Sequence, residues 1–176
     1  MEDKKYQLAD LQGKSEEWNI PFSNLLAGFV LEEFMLRFSA SEFKDRALLR
    51  NGYMFGLEQY RKKNILKLDF FCEPDENIPE KLLQMYLEKK EKCPVRWKGT
   101  VTLQQSGACM ELQGQFEEMK VPVTANIHFM HLGKNWGLVE KEIPFLMDGI
   151  VKIVWKEFPA ELVLAKQIFV ILRDME

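Results

Sequence analysis

Cysteine and histidine are scarce, with three of the first and two of the second in 176 residues. Cys72, Cys93 and Cys109 are odd in number, far apart and without a CxxC pair, which excludes a disulfide framework and the usual zinc spacings. Reduced thiols fit best, and Cys72 and Cys109 read as buried structural residues. His128 and His131 stand three apart with no Cys, Asp or third His nearby, so they read as surface or loop residues and no metal site is expected. A positive excess is also missing. Lys and Arg total 24 against 27 Asp and Glu, a net charge of −3, which excludes a whole-surface nucleic-acid binder and leaves room only for a local basic patch. No apolar run approaches the roughly 18 residues of a membrane span, and the opening MEDKKYQLADLQGKSEEW has no apolar signal core. A cytoplasmic protein without membrane contact is expected. Phosphate-loop, dinucleotide, nucleophile-elbow and zinc-protease motifs are all absent.

What is present is a composition of 47% hydrophobic, 12% aromatic and 29% charged residues, that of a folded chain with an aromatic core. The length suits one domain, expected over residues 24–176 behind a polar, frayed or lightly packed lead-in over 1–23. Leu25, Leu26, Phe29, Val30, Phe34 and Phe38 recur at three and four, predicting a helix over 24–38 capped by Ser23 or Asn24, with Glu32, Glu33 and Arg37 on its polar edge. A short apolar piece, Ala47 to Leu49, precedes Asn51 and Gly52, and a second helix is expected over about 52–60.

Arg61, Lys62 and Lys63 form the densest positive run, which reads as a solvated turn or a small basic patch. A strand over 65–71 follows. Its period of two places Lys67, Asp69 and Phe71 on one face and Leu66, Leu68 and Phe70 on the other. An acid inside an apolar strand is costly unless paired, so Asp69 demands an explanation. Pro79 opens a helix expected to reach Lys92, and from Pro94 three alternating segments predict an antiparallel meander. Residues 131–149 read as one long loop bearing a partly exposed Trp136; Trp97 and Trp155 read as core. A strand over 150–155 and a helix opening at Pro159 complete an α+β chain with a mixed or antiparallel sheet and packed helices.

Order and spacing from Asn24 onward resemble the AbiEii-type nucleotidyltransferases, the toxin partners of bacterial abortive-infection toxin–antitoxin pairs. That family has a Lys-Gly-Gly turn, a helix, a basic turn and a strand bearing Asp-x-Asp-Phe; here stand Leu49-Arg50-Asn51-Gly52, Arg61 to Asn64, and Lys67-Leu68-Asp69-Phe70. VPVTANIHF, Val121 to Phe129, matches a strand of the type Val-Pro-hydrophobic-x-hydrophobic-Asp-hydrophobic-x-Phe, and Ile143 to Asp148 resembles a Pro-x-Leu-Leu piece. Pro159 to Gln167 resembles a helix that ends in Ala-Glu-Lys.

The resemblance implies a nucleotidyltransferase-like fold and a cleft at Asn51, Gly52, Lys67, Asp69, Asn126, Lys166 and Gln167. In such an enzyme two aspartates on one strand and a third on its neighbour hold Mg²⁺ against nucleotide phosphates. Here those positions are Lys67, Asp69 and Asn126, so one carboxylate of three remains, and Lys166-Gln167 stands in place of Glu-Lys. At about 4 Å and an effective dielectric of 20, unit charges interact by roughly 4 kcal/mol, enough for Lys67 to repel a metal and attract Asp69. The expectation is a domain that has lost metal-dependent catalysis and needs no cofactor, serving as a binding, accessory or regulatory subunit with a protein partner, in phage defence or a toxin–antitoxin setting. The alternatives are an active enzyme using Mg²⁺ and a nucleoside triphosphate to modify RNA or protein, with Glu73 or Glu58 completing the metal site, and an unrelated α+β partner-binding protein, which Asp69 and Asn126 on distant strands would favour.

Overall fold

A computed structural model describes residues 7–50, 55–75, 77–88, 93–131, 137–143 and 153–159. Helix α1 (Leu8–Glu17) and helix α2 (Phe22–Ser39) precede a 3-10 turn at Lys44–Arg46 and strand β1 (Ala47–Leu49). Helix α3 (Leu57–Lys62), strand β2 (Lys67–Cys72) and helix α4 (Asn77–Leu87) follow. The meander comprises β3 (Val95–Gln104), β4 (Gly107–Phe116) and β5 (Met119–Phe129), and β6 (Val139–Ile143) and β7 (Ile153–Glu157) pair beyond it.

Five strands lie in the order β1-β2-β5-β4-β3, antiparallel except for the parallel pair β2 and β5. That pair requires a crossover, supplied by α4 and the hairpin β3–β4. Alternation along β2 buries Leu68, Phe70 and Cys72 and leaves Lys67, Asp69 and Phe71 exposed or half-buried, as the period of two predicts.

Helix α2 is the hub of the core, buried on nearly every side. Phe34 stacks on Tyr86 of α4 at 4.4 Å and 10°, and Phe38 on Phe70 of β2 at 5.1 Å and 3°, so the helix bridges α4 and the sheet through offset rings. Gly28 is obligatory for a steric reason: a Cβ there would lie 2.6 Å from the Tyr60 ring.

Several sequence expectations are corrected. Of the two alternatives for the lead-in, fraying does not hold over 8–17: these residues form the helix α1, which buries Leu11 alone and presents its Leu8 N–H to Glu117 Oε1 at 2.9 Å. Pro21, rather than Ser23 or Asn24, stands at the cap of α2, its carbonyl accepting the N–H groups of Asn24 and Leu25. Asn24 instead donates its side-chain amide to the Tyr60 carbonyl at 2.8 Å. Glu32 and Arg37 are not on a polar edge but buried. The Tyr60 hydroxyl donates to Glu32 at 3.0 Å, and the Arg37 guanidinium donates to the Met85 and Glu88 carbonyls at the end of α4. Buried polar groups are tolerated when such partners exist. Helix α3 begins at Leu57 and takes in Arg61 and Lys62, and α4 ends at Leu87, short of Lys92. The expected loop over 131–149 contains β6, because Val139 to Ile143 pairs with β7. Cys109 is half-buried, not buried. The expected helix after Pro159 and Trp136 lie outside the described residues.

Candidate functional site

Strands β2 and β5 run side by side with Lys67 opposite Thr124, Asp69 opposite Asn126 and Phe71 opposite His128. Residues opposite one another share a face. The face turned away from α2 therefore gathers Lys67, Asp69, Asn126 and His128. Asn126 donates its side-chain N–H to Asp69 Oδ1 at 2.7 Å, and His128 Nε2 lies 3.4 Å from the same oxygen. The side chains of Asp69 and His128 are 21% and 42% exposed, so the carboxylate is partly open to solvent. Phe71 borders it, its ring 5.5 Å from the His128 ring and 5.8 Å from the Arg50 guanidinium. The Arg50 N–H donates to the Asp69 carbonyl at 2.8 Å, which fixes the end of β1 beside this strand.

Of the residues singled out from sequence, Lys67, Asp69 and Asn126 are thus brought together, and the arrangement on distant strands that would favour an unrelated fold is not found. Asn51, Gly52, Lys166 and Gln167 lie outside the described residues. The basic run divides: Arg61 pairs with Glu58 at 3.0 Å and donates to the Trp18 carbonyl, whereas Lys62 and Lys63 are exposed. Glu73 lies 3.4 Å from His131.

His128 is the residue that sequence reasoning undervalued. Its position two after Asn126 on a strand already placed it on the Asn126 face, but only the register brings both over Asp69.

These residues do not fit Mg²⁺, which takes hard oxygen ligands in octahedral geometry. Asp69 is the one carboxylate among the gathered side chains, Asn126 turns its amide nitrogen rather than its oxygen toward it, and the neighbouring position carries the ammonium of Lys67. Among the described residues no group of three or more His, Cys, Asp or Glu side chains is placed to hold a metal.

No family model and no curated protein matches the sequence. Solved structures do match. One is a candidate nucleotidyltransferase of H. pylori, superposed over 81% of this chain with TM-score 0.50 and 9% identity. Another is JHP933 from Helicobacter pylori, over 84% with TM-score 0.51 and 10% identity. The fold is nucleotidyltransferase-like. At such identities the likeness concerns the fold alone, and this chain spans 56% of the length of each neighbour. Among the described residues no helix is long and apolar enough to cross a membrane.

Proposed function

We propose that this chain is a catalytically degenerate relative of the AbiEii-type nucleotidyltransferases, working in the cytoplasm as a binding, accessory or regulatory subunit of a protein partner in phage defence or a toxin–antitoxin pair. The observation that carries the reading is the hydrogen bond from Asn126 to Asp69, with Lys67 on the same face. In a metal-dependent enzyme these are positions for anions that grip Mg²⁺. Here an amide donor satisfies the remaining carboxylate, and an ammonium stands where a divalent cation would be repelled. The fold of the two H. pylori proteins supports a scaffold of the same shape. The setting rests on the family resemblance.

The test is label transfer. Incubation with each labelled nucleoside triphosphate, Mg²⁺ or Mn²⁺ and bulk tRNA is expected to leave tRNA and protein unlabelled. Transfer that disappears in Asp69→Ala would overturn the reading and restore an active enzyme.

A further inference from the structure

Strand β3 has a neighbour on one side only among the described residues. It is paired with β4 through a two-residue turn closed by Gln104 and Gly107. Such a closing pair is hydrogen-bonded, so by alternation the N–H and C=O groups of Gly99, Val101 and Leu103 point away from β4, toward the free edge. Natural sheets blunt such edges with proline, bulges or inward charges. The half from Gly99 to Gln104 has no proline, no charge and ladder pairing without a bulge, and Leu103 is 48% exposed.

The two faces of this edge differ in chemistry. On the face shared with Asp69, Arg96, Gln115 and Lys120 form one row across three strands, and Lys98, Gln113 and Pro122 form the next. These rows hold three cations and no carboxylate in a chain whose net charge is −3. Arg96 and Lys98 are exposed, and neither has an ion-pair partner among the described residues. On the opposite side, Val101 joins Leu83 and Met85 in a groove of about 790 Å³ whose rim carries Glu42, Glu80 and Glu88 against Lys81. Leu87 of α4 is also 39% exposed.

We propose that β3 is the docking edge for an extended acidic segment of a partner protein, which adds as a further strand with carboxylates on alternate positions beside Arg96 and Lys98 and apolar side chains toward Val101 and Leu103. Strand addition supplies main-chain hydrogen bonds, and the alternating side chains supply selectivity. Charge complementarity chooses the occupant. A second copy brings no acid to Arg96 and Lys98, because β3 itself, VRWKGTVTLQ, contains none. The rim acids disfavour carboxylates on the groove side, so the segment is acidic on one face only. The proposal rests on the reading of the chain as a binding subunit.

The experiment uses the full chain and a fluorescein-labelled ten-residue peptide alternating glutamate with valine in one half and threonine with valine in the other. Anisotropy is expected to saturate, and the affinity to fall at least about tenfold with lysine for glutamate, with backbone N-methylation of the edge-facing residues, or in Arg96→Glu/Lys98→Glu. Leu103→Lys, at an exposed site that the fold does not need, is expected to weaken it as well. Absence of saturation by about 1 mM, equal binding of the N-methylated peptide, or displacement by oligothymidylate at lower concentration overturns the proposal. A concentration-dependent dimer abolished by Leu103→Lys in sedimentation does so too, by assigning the edge to a second copy. Arg96 and Lys98 are on β3, away from the residues gathered at Asp69, so a failure here leaves the label-transfer result standing, and the converse also holds.

Discussion

The two faces of the five-stranded sheet are built from the same alternating strands and serve opposite ends. Toward α2 the strands present Phe70, Cys72, Met110, Phe116 and Ile127, all buried, and the buried polar side chains of α2 reach partners elsewhere in the fold: Glu32 accepts from Tyr60, Arg37 donates through one guanidinium nitrogen to the end of α4, and Asn24 donates to the Tyr60 carbonyl. Away from α2 the same strands present Lys67, Arg96 and Lys98, which are exposed, and Asp69, Asn126 and His128, which are half-buried. Burial converts each side chain on the first face into stability; solvent access on the second makes each interaction cheap to lose and available to a ligand. The site follows from which face the described residues leave open.

The sharpest way to break this contrast is to empty the core face. Phe34 is fully buried and touches the rings of Tyr86, Trp97 and Phe70. Phe34→Ala is expected to lower the unfolding free energy by about 3–5 kcal/mol in urea titration, the usual cost of removing a large core ring. A loss under about 1 kcal/mol would mean that α2 does not hold the molecule together.

A second test sets the same residue type on both faces. Burial pushes the Cys72 thiol up to about 11, and its side chain lies wholly on the core face. Cys109 stands opposite Asn126 on the open face and is half-buried. Alkylation at pH 8 is expected to label Cys109 at least about a hundredfold faster than Cys72, since the thiolate is the nucleophile and about one Cys72 in a thousand is ionised there. The linkage sign follows: a folded pKa above the unfolded value gives stability that is complete below about pH 9 and is lost as pH rises toward 11. Labelling of Cys72 in the folded protein at the Cys109 rate would erase the difference between the faces.

A third change asks whether the open face has kept the shape of a metal site. Lys67→Asp with Asn126→Asp places three carboxylates on adjacent strands. Magnesium at ten times its dissociation constant should then stabilise the folded state by about 1.4 kcal/mol, a rise in melting temperature of a few degrees absent from the natural chain. An equal rise in the natural chain would show that its single carboxylate already binds the ion.

How much of this was written in the sequence depends on whether the signal is local. The apolar repeat of α2 and the alternation of β2 are local, and both elements stand within about two residues of where the pattern puts them. Glu32 and Arg37 were misplaced because charge alone suggests solvent, and their partners, Tyr60 and the end of α4, are distant in sequence. Helix α1 has only Leu11 fully buried, too little for a visible repeat, and is held by Glu117 across 109 residues. Strand β6 has a weak pattern of its own and exists because β7 pairs with it. The neighbourhood of Asp69 and Asn126 came from the family resemblance, whereas the inclusion of His128 required the register.

The smallest expected effect tests the open face in its own terms. His128→Ala removes an imidazole 3.4 Å from Asp69 Oδ1, in a pair whose side chains are 42% and 21% exposed. Water can replace that contact, and the Asn126 amide still donates to the same oxygen at 2.7 Å. The change in unfolding free energy is therefore expected to stay under about 1 kcal/mol, as for other solvent-exposed pairs. Tyr60→Phe, which removes the hydroxyl that donates to buried Glu32, should cost more, about 1–3 kcal/mol. If the order were reversed, Asp69 and His128 would be structural groups of the same kind as Glu32 and Tyr60, and the polar face would lose its standing as the side of the molecule left for binding.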